Sequence, residues 1–194
     1  MRKFISIDGQ HGVGKSHIVN KLCCELTQKG HNVVKTKEPT DSTIGLLARE
    51  SENSCMAYSL VRLFAADRLA HCRQIQTWLD EDKIVISDRY IISGLILQNM
   101  DGVKFDDIIF ENKGILVPDL SVIIYADQDI VDKRMSGKVM TRLSSQERLE
   151  RYDRYRVNYE KLVELFPDIL FFRNNTEDDE KHIVKVIIDK IEGQ

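Results

Sequence analysis

Apolar residues fall into short unbroken runs separated by longer stretches where they recur every three or four positions. Phe4-Ile5-Ser6-Ile7 reads as a strand, and residues 15–29 read as a helix closed by Gly30. A second strand follows at 32–36. The loop Lys37-Glu38-Pro39-Thr40 then leads to a short helix reaching about Arg49. Residues 54–81 read as a long helix whose expected apolar face is Leu60, Leu63, Phe64, Leu69 and Ile75. Ile84-Val85-Ile86 is a third, wholly apolar strand, followed by helical stretches at 91–100 and 104–112. The remainder reads as a strand at 120–125, a helix at 128–135, a polar stretch at 136–145, a helix at 146–165, a strand at 169–172 and a helix at 178–191. Unbroken apolar strands alternating with helices predict an α/β domain with a parallel sheet covered on both faces. Ligands then bind beyond the carboxyl ends of the strands, so functional residues are expected after strands one, two and three.

Composition narrows the function. The 194 residues carry 28 Lys and Arg against 31 Asp and Glu, a net charge of −3, with 42% hydrophobic residues, ten Gly and three Pro. This is the balance of a globular domain, and mild acidity gives no reason to expect a nucleic-acid polymer or an anionic membrane as partner. No apolar run approaches the roughly 20 residues of a membrane helix. The N-terminus begins a strand pattern rather than a signal peptide, so a cytoplasmic location is expected. Cys23, Cys24, Cys55 and Cys72 show no metal-binding spacing and are expected to be reduced and mostly packed, with Cys23 and Cys24 on different helix faces.

Gly9-Gln10-His11-Gly12-Val13-Gly14-Lys15-Ser16 satisfies G-x-x-x-x-G-K-[ST] between a strand and a helix, the setting of a phosphate-binding loop. Its glycines let successive backbone N–H groups converge on phosphate oxygens, and the helix N-terminus adds positive potential. Lys15 reaches the β- and γ-phosphates, and Ser16 can ligate Mg²⁺. The expected nucleotide contacts run from Gly9 through Ser16 to His17. Such a loop serves a kinase or a hydrolysing switch or motor. The N-K-x-D string of guanine-specific switches is absent, since neither Asn20-Lys21 nor Asn112-Lys113 continues suitably.

Asp88-Arg89-Tyr90 follows the third strand. If strands one and three are neighbours, Asp88 reaches the metal shell beside Ser16, and Arg89 offers a planar fork to a phosphate. Phe64 and Arg68 share a helix face, which suits a ring stacked on a base and a guanidinium at its edge; core packing beside a solvated arginine is the plainer alternative. The stretch 136–143, with Gly137 as hinge and Lys138 and Arg142 as cations, reads as a basic lid ahead of a helix capped by Ser144 and Glu147.

Taken together, these strings resemble the thymidylate kinase family, P-loop nucleoside monophosphate kinases, over nearly the whole chain. The resemblance is carried by the phosphate loop and by Glu38-Pro39 with Gly45 and Arg49. It continues in Leu63-Phe64-Ala65-Ala66-Asp67-Arg68 with His71, in Asp88-Arg89-Tyr90 with Ser93 and Gln98, and in Pro118-Asp119-Leu120, Arg134 and Arg156-x-x-Tyr159. It implies a three-layer fold with a five-stranded sheet in order 2-3-1-4-5. It also implies a single kinase domain over 1–194, with an acceptor region at about 37–72 and a lid at about 136–150. ATP as donor, Mg²⁺, a nucleoside monophosphate acceptor and a homodimer follow from the same likeness. Under it Phe64 stacks on the base, Arg68 bonds it, and Arg49 and Arg89 hold the acceptor phosphate. Asp8, Glu38, Pro39, Arg49, Phe64, Arg68, Arg89, Ser93 and Leu97 are the expected acceptor contacts, Ser16 and Asp88 the metal ligands, and Lys15, Arg89 and Arg142 the catalytic cations.

The chain departs from the family pattern on the acceptor side. His11 replaces an acidic residue of the phosphate loop, Thr40-Asp41-Ser42 replaces two glycines and a threonine, Gly94 a polar base contact, and Leu97 a tyrosine against the sugar. The expected reaction is transfer of a γ-phosphoryl group from ATP to dTMP or a related pyrimidine monophosphate. A kinase for a modified nucleotide, a nucleoside or another small metabolite, or a nucleotide-binding regulator without kinase activity, are the alternatives.

Overall fold

The computed structural model describes residues 1–52, 54–136 and 145–193. Most of the expected lid, Lys138 and Arg142 included, lies outside the described residues. In chain order the elements are β1 (Lys3–Asp8), α1 (Lys15–Gln28), β2 (Val33–Lys37), α2 (Thr43–Glu50), α3 (Ala57–Asp80), β3 (Ile84–Asp88), α4 (Ile91–Met100), α5 (Phe105–Glu111), β4 (Leu120–Tyr125), α6 (Gln128–Met135), α7 (Ser145–Leu165), β5 (Leu170–Arg173) and α8 (Glu177–Glu192). All sheet pairings are parallel, in the order β2-β3-β1-β4-β5 that the resemblance implies.

Alternation along each strand divides the core. Ile5, Ile7, Ile84, Ile86, Val122 and Ile124 face α1 and α8 on one side of the sheet. On the other side Phe4 and Val85 meet Cys72 and Ile75 of α3, while Ile123 meets α4, α5 and α7. A one-residue slip of β3 would exchange Ile84 and Ile86 for Val85 and Ser87 on the α1 face, so apolar burial on both sides pins the register. In that register Asp88 lies opposite Ile7 of β1 and Lys37 of β2, which brings the ends of three strands together at one edge.

Two expectations are corrected, the first on α3. Its buried stripe runs through Val61, Ala65, Arg68, Cys72 and Ile75, with Asp67 and His71 beside it. Leu69 stands roughly 100° around the helix from Arg68 and is 49% exposed. Leu63 and Phe64 are only half-buried. Leu60 and Ile75 are buried as expected, but the rest of the face differs because its most buried members include an aspartate, an arginine and a histidine. The thiols are all free, as expected, but only Cys72 is buried. Cys23 packs partly, while Cys24 and Cys55 are exposed. Among the described residues no helix is long and apolar enough to cross a membrane.

Candidate functional site

The loop between β1 and α1 is shaped by its glycines. Gly9 has φ +147°, and a Cβ there would lie 2.2 Å from the Ile124 carbonyl oxygen, so only glycine lets the chain leave β1 across the end of β4. Gly14, at φ 93°, caps α1 in the left-handed region. Behind it the Val13 carbonyl accepts from Asn174 Nδ2 at 2.8 Å and Arg134 Nη1 at 3.2 Å, tying the loop to the ends of β5 and α6. Lys15, the first residue of α1, folds back and donates from Nζ to the Gln10 carbonyl at 2.7 Å. His11 and Ser16 are exposed, as is His17, whose ring lies 3.4 Å from Glu180.

Lys15 is only 6% exposed. Burial first, then the neighbouring Arg89 guanidinium, press its pKa down to about 7 against the opposing pull of Asp88 and Asp8. A polyphosphate beside Lys15 favours the ammonium and returns the lost proton. Nucleotide binding above neutral pH is therefore coupled to proton uptake, and affinity falls as pH rises from about 7 toward the ordinary lysine value. Calorimetric titration with ATP at about pH 8.5, in buffers of different ionisation enthalpy, should show uptake of about one proton per nucleotide. No uptake would contradict this account of Lys15.

Ser16 Oγ donates to Asp88 Oδ2 at 2.5 Å, which confirms that the ends of β3 and α1 meet. Arg89 adopts φ 78°, a left-handed conformation that costs a side-chain-bearing residue on the order of 1–3 kcal/mol. Its N–H bonds the Ile7 carbonyl at 3.0 Å, and Ser87 Oγ donates to its carbonyl at 2.6 Å. This bend turns the side chain over the phosphate loop, where Nη1 donates to the Gly9 carbonyl at 3.0 Å and to Ser93 Oγ at 3.2 Å. Asp8 secures the turn from below. Its Oδ1 accepts from Tyr90 N and Ser93 N, both at 2.9 Å, and from Ser93 Oγ at 2.6 Å. The carboxylate thus caps the start of α4, where it also meets the positive end of the helix dipole.

The second half of the site hangs on Glu38, which precedes Pro39 through a cis peptide. Its buried carboxylate accepts from Arg68 Nε at 2.7 Å and lies 3.0 Å from His71 Nδ1, while His71 Nε2 meets Thr36 Oγ1 at 2.7 Å. Arg68 continues to Asn112 Oδ1 at 2.5 Å and to the Tyr90 carbonyl at 3.5 Å, and its guanidinium carbon lies 5.4 Å from the Tyr90 ring centre. At 3% exposure Arg68 is not a solvated surface arginine. Phe64 stands one turn before it. The loop that replaces the expected glycines is held by Asp67, which accepts from Thr40 N at 2.8 Å, Thr40 Oγ1 at 2.5 Å and Ser42 Oγ at 3.0 Å. Arg49 donates to the Pro39 carbonyl at 3.0 Å and lies 3.7 Å from Asp41. Leu97 packs half-buried against the apolar cluster of α4, α5 and α7.

Lys15, Ser16, Asp88 and Arg89 therefore form one group at the carboxyl ends of β1 and β3, and Glu38, Arg68 and His71 a second beyond β2, with Phe64 one turn before Arg68 on α3. Arg89 borders both. Sequence reasoning passed over Asn112, Asp67 and Asn174 as site residues. In the sequence Asn112 stands out only as part of an Asn-Lys pair, and nothing local marks it as the partner of Arg68.

The thymidylate kinase family model matches residues 7–187. The chain belongs to the thymidylate kinase family. It is 33% identical to a probable thymidylate kinase of Thermococcus gammatolerans, with 97% of each chain covered. A probable thymidylate kinase of Pyrococcus horikoshii is likewise 33% identical, with 98% of each covered. The crystal structure of a thymidylate kinase from Ehrlichia chaffeensis superposes with a TM-score of 0.77 over 98% of both chains at 24% identity, a likeness of fold.

Proposed function

We propose that this protein transfers the γ-phosphoryl group of ATP to the 5′-phosphate of dTMP, yielding ADP and dTDP. Family membership supports the reaction class. The observation that carries the site assignment is Arg89, whose guanidinium touches the phosphate loop at Gly9 and Ser93 on α4, where the acceptor half begins. A cation at that junction faces the donor and acceptor phosphates together. In-line transfer needs positioning and charge neutralisation more than proton movement, because a phosphate oxygen is already a deprotonated nucleophile. Lys15 lies along the donor phosphates, Arg49 and Arg89 orient the acceptor phosphate, and Phe64 with Arg68 holds the base. Arg142, from the lid stretch, completes the cationic set in this reading.

Mg²⁺ fits the chemistry of the adjoining donors: Ser16 Oγ and Asp88 supply two hard oxygens at the mouth of the loop, the sparse protein ligation this ion accepts beside phosphates. When bound it neutralises charge between the β- and γ-phosphates. The reading includes a homodimer, as the family resemblance implies, and the cytoplasmic location expected from the sequence.

Measuring ADP release with ATP and dTMP, dUMP, dCMP, thymidine or no acceptor tests the proposal. Turnover with dTMP above every other acceptor is expected. ADP release independent of acceptor, or turnover only with a nucleoside, overturns it. Arg89→Ala should raise the KM for dTMP and lower kcat/KM by about 10²- to 10³-fold, with a smaller change in the KM for ATP.

A further inference from the structure

Tyr159 of α7 lies outside both groups of site side chains, yet it ends against the phosphate loop. Its ring is clamped at the carboxyl ends of β4 and β5. The ring centre lies 5.7 Å from that of Phe171 and 6.1 Å from that of Tyr155, and Phe171 stacks on Tyr125 at 4.6 Å. Tyr159 is 2% exposed, and no hydrogen bond is closed on its hydroxyl among the described residues. The Gln10 backbone N–H is directed at that oxygen, with Asp8 and Arg89 close enough to act on it electrostatically. Burial first, with Tyr155 and Asp8 in the same sense and Arg89 and the Gln10 N–H opposed, holds the phenol's pKa well above the ordinary tyrosine value. The hydroxyl therefore stays an O–H donor.

Asp8 presents the complementary atom. Its Oδ1 takes three hydrogen bonds, while Oδ2 is buried with none among the described residues. A phenol donor and a carboxylate oxygen left buried and unpaired are costly, and native proteins leave few such atoms. Asp8 and Gln10 stand on either side of Gly9, so one hydroxyl set between them can donate to Oδ2 and accept from the Gln10 N–H. A slot of about 250 Å³, bordered by Gln10 and the rings of Tyr125, Tyr155, Tyr159 and Phe171, leaves room for this closure. Both residues serve a cation of the site. The Gln10 carbonyl accepts from Lys15 Nζ at 2.7 Å, so the lysine and the phenol address the two backbone groups of one residue. Asp8 Oδ1 accepts from Ser93 Oγ at 2.6 Å, and that hydroxyl oxygen accepts in turn from Arg89 Nη1 at 3.2 Å.

We infer, on the reading of this loop as the donor-phosphate site, that Tyr159 is a positioning residue for both cations: when Lys15 leaves the Gln10 carbonyl for the donor phosphates, the Tyr159 hydroxyl donates to Asp8 Oδ2 and accepts the Gln10 N–H. The loop loses the grip of the lysine at Gln10 and gains that of the phenol. The same closure steadies Asp8, and through Ser93 the guanidinium of Arg89.

Tyr159→Phe keeps the ring and removes only the oxygen. Because no bond is closed on that oxygen in this structure, the variant without nucleotide should melt within about 2 °C of wild type, or above it. Its dissociation constant for the β,γ-imido analogue of ATP, measured by calorimetry, should rise about 10-fold, in keeping with a lost hydrogen bond to a charged group. Its kcat/KM for ATP should fall at least as far. In wild type the Gln10 amide proton resonance should move downfield when the analogue binds, and in Tyr159→Phe that shift should be lost. Unchanged affinity and an unchanged Gln10 shift in the variant would make Tyr159 a packing residue and overturn the inference alone. A variant melting several degrees lower without nucleotide would overturn it too, since the hydroxyl would then serve the resting fold. Wild type that fails to bind the analogue overturns the functional reading, and the inference with it, whereas turnover of an acceptor other than dTMP overturns only the former.

Discussion

Lys15→Ala should abolish phosphoryl transfer while leaving the fold as stable as before, or more so. On the proposed reading Lys15 lies along the donor phosphates, and removing a pre-positioned charge of this kind costs on the order of 10³-fold in rate, equivalent to about 4 kcal/mol of transition-state stabilisation. The protein alone gains nothing from that charge. Burial and Arg89 hold the Lys15 pKa near 7, below its unfolded value, so the unfolded chain binds more protons between those two values. The charged lysine thus opposes folding fully below about pH 7, and its cost fades as pH rises toward the ordinary lysine range. Replacing it by alanine removes that penalty along with some packing of its alkyl chain. The melting temperature of Lys15→Ala near neutral pH should be equal to or above that of wild type, with turnover at background. Saturating ATP should raise the wild-type melting temperature and shift the variant little, which separates lost binding from lost folding. Steady-state activity near the wild-type level would sink the assignment of the loop as the catalytic phosphate site.

What could be read in advance was local. The phosphate loop spans eight consecutive residues, and Asp88-Arg89-Tyr90 sits at the end of an apolar strand, so neighbours in the chain are neighbours in the site. Strand runs buried on both faces disclosed the parallel sheet for the same reason. The group around Arg68 is assembled differently. Arg68 draws on Glu38, 30 residues earlier, and on Asn112, 44 residues later, so its burial is decided by pairings that no window of sequence contains. The misplaced face of α3 is the same effect seen from the helix. Asp67, Arg68 and His71 are buried because distant polar partners compensate them, whereas periodicity expects them outside. The loop at Thr40-Asp41-Ser42 looked like a departure from the family's glycines. Asp67 organises it through three hydrogen bonds, one from the Thr40 amide, which a glycine would also offer, and two from the Thr40 and Ser42 hydroxyls.

The second large effect is expected at Glu38. Arg68 and His71 both turn to its carboxylate inside the fold, with side-chain exposures of 4%, 4% and 5%. Glu38→Leu would leave the guanidinium buried without its counter-charge, and stranding one member of such a pair typically costs about 3–5 kcal/mol. At roughly 2–4 °C per kcal/mol for a domain of this size, the melting temperature should fall on the order of 10 °C. Activity alone would not show whether Glu38 holds the fold or the acceptor, since an unstable variant is also a poor enzyme. The double replacement Glu38→Leu with Arg68→Met resolves this. An apolar pair in the same volume removes both buried charges and should recover most of the lost melting temperature. It also removes the guanidinium that the proposed reading sets at the acceptor base, so dTMP turnover should stay at least about 10²-fold below wild type although the protein is folded. A Glu38→Leu variant within a degree or two of the wild-type melting temperature would mean that water reaches Arg68 and the pair is not the pocket's anchor. Recovery of dTMP activity in the double variant would show that Arg68 serves the fold and not the base.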